Sequence, residues 1–119
     1  MARILFVLAR STEAPDRATT ALATALAAQR GGHEVGFWLT GEGVRLGVKG
    51  VAETLAEPVP ESAASMRDAL LAGGASFHLE QLSFERRQYA TDALLDGASV
   101  VDGAALGGLL DDGWHTVTL

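Results

Sequence analysis

The chain contains no cysteine. That absence excludes disulfides, thiolate zinc sites, iron–sulfur clusters and any cysteine nucleophile or persulfide carrier in this chain. Basic residues are also few: nine Lys and Arg stand against fifteen Asp and Glu, for a formal net charge of −6. They are scattered, with Arg86-Arg87 the only Arg-Arg doublet and Glu80 and Glu85 beside it. No electrostatic footprint for a phosphate backbone results, so nucleic acid is not an expected partner. Long hydrophobic runs are missing too. The apolar part of the opening "MARILFVLAR" extends only from Ile4 to Ala9 and reads as a strand rather than a signal or membrane segment, which makes the protein cytoplasmic by expectation.

What is present is a folded domain. With 48% hydrophobic and 20% charged residues, the composition is far from the disordered class. A chain of this length forms one domain, residues 1–119, and buries roughly two thirds of the surface that its unfolded form exposes. The branched run Ile4 to Ala9 has the pattern of a strand covered on both faces. After the polar loop "RSTEAPD", Asp16 is placed to cap an alanine-rich helix that continues to Arg30, with Ala18, Leu22, Ala25, Leu26 and Gln29 at helical spacing and Gly31-Gly32 as its stop.

"HEVGFWLT" reads as a second strand and "GEGV", Gly41 to Val44, as a tight turn into a short helix. Two prolines and no clear period make Gly50 to Glu61 a surface excursion. Ser62 caps a helix to about Ala72 with Met66, Ala69 and Leu70 as its stripe, and "ASFHL" forms a third strand. Helical spacing through Tyr89, Leu94 and Leu95 suggests a helix over Arg86 to Leu95. "ASVV" is a fourth strand, Asp102 caps a glycine-weakened helix, and "WHTVTL" is a fifth strand. This alternation predicts an α/β three-layer sandwich around a mostly parallel five-stranded sheet, flavodoxin-like in outline.

Ligands of such sheets bind beyond the carboxyl ends of the strands. The candidate ligand-binding residues are therefore Arg10, Ser11, Thr12, Glu42, Glu80, Ser83 and Arg86. Neither G-x-G-x-x-G nor G-x-x-x-x-G-K-[ST] occurs, so neither a dinucleotide site nor a P-loop is indicated and no cofactor is expected. His33, His78 and His115 lack metal-ligand spacing, and partly buried, hydrogen-bonded histidines are the expectation for all three, with no metal. Ser83 has no G-x-S-x-G elbow. Glu42 and Glu80 could meet at the strand ends and raise one another's pKa, as acid–base pairs do.

The loops also carry a resemblance. Pro15 to Ala18, Gly32 to Val35 and Gly41 to Val44, in "APDRATTALATALAAQRGGHEVGFWLTGEGV", resemble the opening half of the DsrE/DsrF-like family of small sulfur-relay and YchN-like proteins. The tail "LLDGASVVDGAALGGLLDDGWHTVTL" is similar to that family's closing strand, helix and strand. In sulfur-carrying members a cysteine follows the third strand, within a segment resembling Tyr-Val-Cys-Gly-x-Cys; Glu80 and Ser83 occupy those places here. Neither side chain forms a persulfide, so the family's sulfur transfer does not carry over to this chain alone. The resemblance further implies oligomers, trimers or hexamers, or hetero-oligomers with a cysteine-bearing relative. Where the family often has glycine or histidine near the end of strand one, this chain has Arg10-Ser11-Thr12, which removes any basis for carrying a ligand preference across.

Two functional expectations result. One is a cysteine-less, non-catalytic binding or assembly subunit related to sulfur-relay proteins. The other is a small-ligand binding protein, or an enzyme, that uses the polar residues at the strand ends.

Overall fold

The computed structural model describes residues 1–55 and 60–119. Its strands are β1 Arg3–Leu8, β2 Glu34–Leu39, β3 Ser76–Glu80, β4 Ala98–Val101 and β5 His115–Thr118. They form a single sheet in the order β4-β3-β2-β1-β5, and every neighbouring pair is parallel. The alternation of strand and helix in the sequence is thus realised as an all-parallel α/β sheet.

Register explains the core. Phe6 stands opposite Phe37, which stands opposite Phe77; one step on, Leu8, Leu39 and Leu79 repeat the row. Side chains alternate across a strand, so all six project from the same face. The phenylalanine centroids are 5.8 and 5.0 Å apart in tilted geometry. Against this face lie α1, Pro15–Arg30, and α2, Ala63–Ala72. Ala18, Leu22, Ala25 and Leu26 of the predicted stripe are buried there with Ala21, and Met66 and Leu70 of α2 join them. Alanine on the inner face lets α1 approach the sheet closely, and Gln29 donates from Nε2 to the Leu70 carbonyl at 2.9 Å to tie the two helices.

Several local expectations are corrected. Asp16 does not cap α1: Ala14 is the N-cap, without a side-chain bond, and Pro15 begins the helix. Proline suits that position because its missing N–H would be unpaired anyway, and Asp16 instead places its charge in the first turn, favourably to the helix dipole. The excursion Gly50 to Glu61 is not wholly superficial. Ala52 and Leu55 are buried around a 3₁₀ turn, Ala52–Thr54, while 56–59 fall outside the described residues. Arg86 to Leu95 is not a helix. The helix here, α3, is Gln81–Arg86; the chain leaves it through Gln88 at φ 56° and makes only a 3₁₀ turn, Thr91–Ala93.

From β4 at one edge the chain returns to β5 at the other, against the direction of the earlier steps. A right-handed crossover then carries α4, Ala104–Asp111, over the second face. Asp102 is not its N-cap as expected: Gly103 holds that place without a side-chain bond, and Asp102, one residue earlier, accepts from the Ala104 amide through Oδ1 at 3.0 Å. Trp114 lies on that face too: a Cβ on Gly36 would stand 3.4 Å from its ring. Neither α4 nor β5 contains a buried residue. Among the described residues, no helix is long and apolar enough to cross a membrane.

Candidate functional site

At the carboxyl end of β2 the backbone turns at Gly41, φ 53°, into a 3₁₀ segment, Gly41–Gly47. The two glycines of Gly-Glu-Gly have different tasks. Gly41 supplies the left-handed turn, while a Cβ on Gly43 would stand 2.1 Å from the Leu8 carbonyl oxygen. Only glycine lets this loop close over the end of β1.

That closure brings the Gly41 amide to Ser83. Ser83 Oγ accepts from Gly41 N–H at 2.9 Å and donates to Glu80 Oε1 at 2.6 Å. Glu80 is the N-cap of α3, accepting also from the amides of Leu82 at 2.6 Å and Ser83 at 3.1 Å. Burial raises the Glu80 carboxyl, but the bonds from Ser83 and from the Leu82 and Ser83 amides, with Arg86 nearby, outweigh it and hold the group below its ordinary value. Ser83 is 7% exposed. Its hydroxyl therefore fastens the β2 loop to the start of α3, and Glu80 is a cap rather than a free base.

Glu42 belongs to a second knot. Its carboxylate bonds Arg45 Nε and lies 3.4 Å from Arg87 Nη2. The Arg45 bond leads the effects that keep Glu42 ionised below the usual carboxylate range. Arg45 Nη1 donates to the Tyr89 hydroxyl at 2.7 Å, and its guanidinium stands 5.7 Å from that ring. Arg87 Nη1 donates to the Ser83 carbonyl at 2.8 Å, joining the two knots. Glu42 and Glu80 thus do not raise one another's pKa; each is lowered by its own partners, which removes the acid–base pair.

The structure brings Glu42, Glu80 and Ser83 together, and adds Arg45, Arg87 and Tyr89. Sequence reasoning missed these three, although Glu42-x-x-Arg45 is a recognisable i,i+3 pair. Arg86, exposed, contributes only its field at Glu80. Arg10, Ser11 and Thr12 stay in the β1–α1 loop. Arg10 reaches Glu13 at 3.4 Å, Glu13 accepts from the Ser11 amide, and Thr12 is exposed. No hydrogen bond among the described residues links these three to the cluster. Ser11 Oγ is buried with no partner among the described residues.

The cluster borders a crevice of about 320 Å³ lined by Phe84, Glu85, Tyr89, Thr91 and Val100. Among the described residues no group of three or more His, Asp or Glu is arranged to hold a metal. His33 Nδ1 accepts from the Ala2 amide at 3.0 Å, and His78 is half-buried beside Trp38, its pKa lowered by burial. His115 is exposed on β5, not partly buried as expected.

The geometry can be set beside known proteins. The YchN protein from E. coli superimposes with a TM-score of 0.82 at 17% identity, over 100% of both chains. A protein of unknown function from Methanobacterium thermoautotrophicum gives 0.68 at 16% identity, also over 100% of both. One from Bacteroides thetaiotaomicron gives 0.67 at 20% identity, over 98% of this chain and 94% of that one. At these identities the likeness concerns the fold. No curated protein matches. The model described as the DsrE/DsrF-like family matches residues 2–119, essentially the whole chain, and the chain is accordingly a cysteine-less member of the DsrE/DsrF-like family.

Proposed function

We propose that this protein is a non-catalytic binding or assembly subunit related to the sulfur-relay proteins of its family, acting in the cytoplasm as a homo-oligomer or beside a cysteine-bearing relative. One observation carries the reading. At the place where the resemblance puts a reactive cysteine, Ser83 has both sides of its hydroxyl engaged, by Gly41 N–H and by the Glu80 carboxylate. The position has a structural task, holding a loop to a helix, and has no free nucleophile to offer. Native mass spectrometry of the protein purified gently from its own cells tests this. A complex, homomeric or containing a cysteine-bearing chain, is expected; a monomer without companions in every preparation rules the reading out.

A second reading, small-ligand binding, is favoured by the crevice beside Tyr89. Its wall is apolar through Phe84, Val100 and the Tyr89 ring, and polar at Thr91 and Glu85. A small molecule with an apolar body suits it. Against an enzyme at the strand ends stands the engagement of Glu42, Glu80 and Ser83 with one another's loops and with Arg45 and Arg87, with no hydrogen bond among the described residues from Arg10, Ser11 or Thr12 to them. A bound small mass that survives native ionisation and is lost in Tyr89→Ala would move the weight to this reading.

A further inference from the structure

The crevice beside Tyr89 is fixed in shape before anything enters it. Phe84 is 5% exposed and Val100 and Tyr89 are partly buried, whereas Glu85 and Thr91 are exposed, so the space is apolar at depth and polar at its mouth. Val100 pairs with Leu79 and therefore faces the core side of the sheet, at its β4 edge. Arg45 Nη1 donates to the Tyr89 hydroxyl at 2.7 Å, and the Tyr89 ring stands 6.1 Å from that of Phe84. The turn that carries Thr91 is tied to the chain beyond the Gly41–Gly47 segment. Lys49 N–H donates to the Ala93 carbonyl at 2.8 Å, Leu95 N–H to the Gly47 carbonyl at 2.9 Å, and Lys49 Nζ to the Asp92 carbonyl at 3.1 Å. Little ordering is left for a ligand to impose, which favours binding.

Hydrogen-bonding capacity and charge select what can enter. A tyrosine hydroxyl both accepts and donates. The Tyr89 oxygen accepts from Arg45, while no hydrogen bond among the described residues takes its proton. A bond from a cation to that oxygen polarises the O–H and strengthens it as a donor. The Thr91 hydroxyl likewise has no side-chain bond among the described residues. Positive charge, by contrast, is already engaged. Glu42 bonds Arg45 Nε and lies 3.4 Å from Arg87 Nη2, and Arg87 Nη1 is on the Ser83 carbonyl.

An anion would thus meet Glu85 on the lining and find no free cation to hold it. An ammonium would meet the Arg45 guanidinium, 5.7 Å from the Tyr89 ring, while the exposed Glu85 attracts it only weakly through water. Neither charge is favoured.

We infer that this crevice binds an uncharged small molecule with one ring or a similar apolar body, whose carbonyl-type acceptor takes the Tyr89 hydroxyl proton. This rests on the small-ligand reading above and names its ligand class. The volume agrees: about 320 Å³ is roughly twice the ~150 Å³ cavity that accommodates benzene, leaving space for a short polar substituent. The ring lies against Phe84 and Val100, and the acceptor points to Tyr89 and Thr91.

Fragments of one size and different polarity test this. Acetophenone, its hydrocarbon isostere 2-phenylpropene, benzoate and benzylamine are titrated into the labelled protein, and amide shifts of Phe84, Tyr89, Thr91 and Val100 are followed by NMR. Acetophenone is expected to bind about fivefold more tightly than 2-phenylpropene, the factor that one neutral hydrogen bond contributes, and more tightly than either charged fragment. In Tyr89→Phe, which keeps the ring, 2-phenylpropene should bind as before and the advantage of acetophenone should vanish. Val100→Phe, verified as folded by circular dichroism, fills the crevice and should abolish binding of both. Equal affinities for the two isosteres, a difference that survives Tyr89→Phe, or tighter binding of benzoate or benzylamine overturns the assigned class and leaves the small-ligand reading standing. If no fragment shifts those amides, the class and the small-ligand reading fall together, and the subunit reading is untouched.

Discussion

A thiol placed at Ser83 should not be reactive. Ser83→Cys puts a single sulfur where Ser83 Oγ now stands, 2.6 Å from a Glu80 oxygen and 2.9 Å from the Gly41 nitrogen. Deprotonation would set a thiolate against a carboxylate that is itself held in its ionised form. Two like charges about 3.5 Å apart repel by about 5 kcal/mol at an effective dielectric constant near 20, an upper figure equivalent to between three and four pKa units. The Gly41 N–H and the first amides of α3 favour the anion and return about half of that. The thiol is therefore expected about one to two units above the ordinary value of about 8.5. Glu80→Gln in the Ser83→Cys background removes the repulsion and leaves the donors, so the pKa should drop to about 8.5 or lower. Thiolate absorbance near 240 nm against pH, with iodoacetamide rates as a second readout, gives both values without interference from any other cysteine. A Ser83→Cys thiol that titrates below 8 with Glu80 intact, or one indifferent to Glu80→Gln, refutes the electrostatic account of the loop.

Four further outcomes follow from contacts elsewhere. Arg67 is 5% exposed and bonds Glu53 at 2.6 and 3.2 Å and Asp68 at 3.0 Å. Because both acids keep contact with water, Arg67→Ala should cost about 2–3 kcal/mol, mainly through lost packing, and Arg67→Met less than half of that; equal urea midpoints for the two variants would contradict this. Ser11→Ala should leave stability unchanged or raise it by up to about 1 kcal/mol, since the buried hydroxyl has no partner among the described residues to lose, and a clear loss in the same urea titrations would contradict this. Gly43→Ala should abolish cooperative unfolding or cost about 3 kcal/mol or more, because its Cβ would meet backbone that cannot yield. In acid, stability should fall in two stages. Burial holds folded His78 below its ordinary 6.5, so the unfolded chain binds more protons once pH drops under that value. Glu42, Glu53 and Glu80 stabilise fully above 4.5 and lose their contributions as pH falls through their lower folded values. Melting temperature against pH should lose its first stage in His78→Gln, and persistence of that stage would assign it elsewhere.

The sheet and its two large helices were legible because each is written in a pattern whose cause is local. Ile4 to Ala9 reads as a doubly covered strand since both faces are in fact covered as far as Leu8, where β1 ends and Ala9 is exposed, and the alanine stripe of α1 has the spacing of the face it buries. α3 was not legible. A six-residue helix holds too little periodicity to register, and its start depends on Glu80 folding back on the Leu82 and Ser83 amides, a cap formed by a residue type that sequence rules seldom place there. The expected helix over Arg86 to Leu95 failed for the complementary reason: three apolar residues at a helical interval do not oblige the backbone to continue past Gln88 in a left-handed conformation. The candidate site was half legible. Glu42, Glu80 and Ser83 could be placed at strand ends by topology alone, but their partners Arg45, Arg87 and Tyr89 come from separate turns that only the fold brings together. Pattern also does not record exposure: "ASVV" and "HTVT" read alike as strands, yet the first is partly covered by its own molecule and the second is exposed along its whole length, because α4 buries no residue against the sheet beside it.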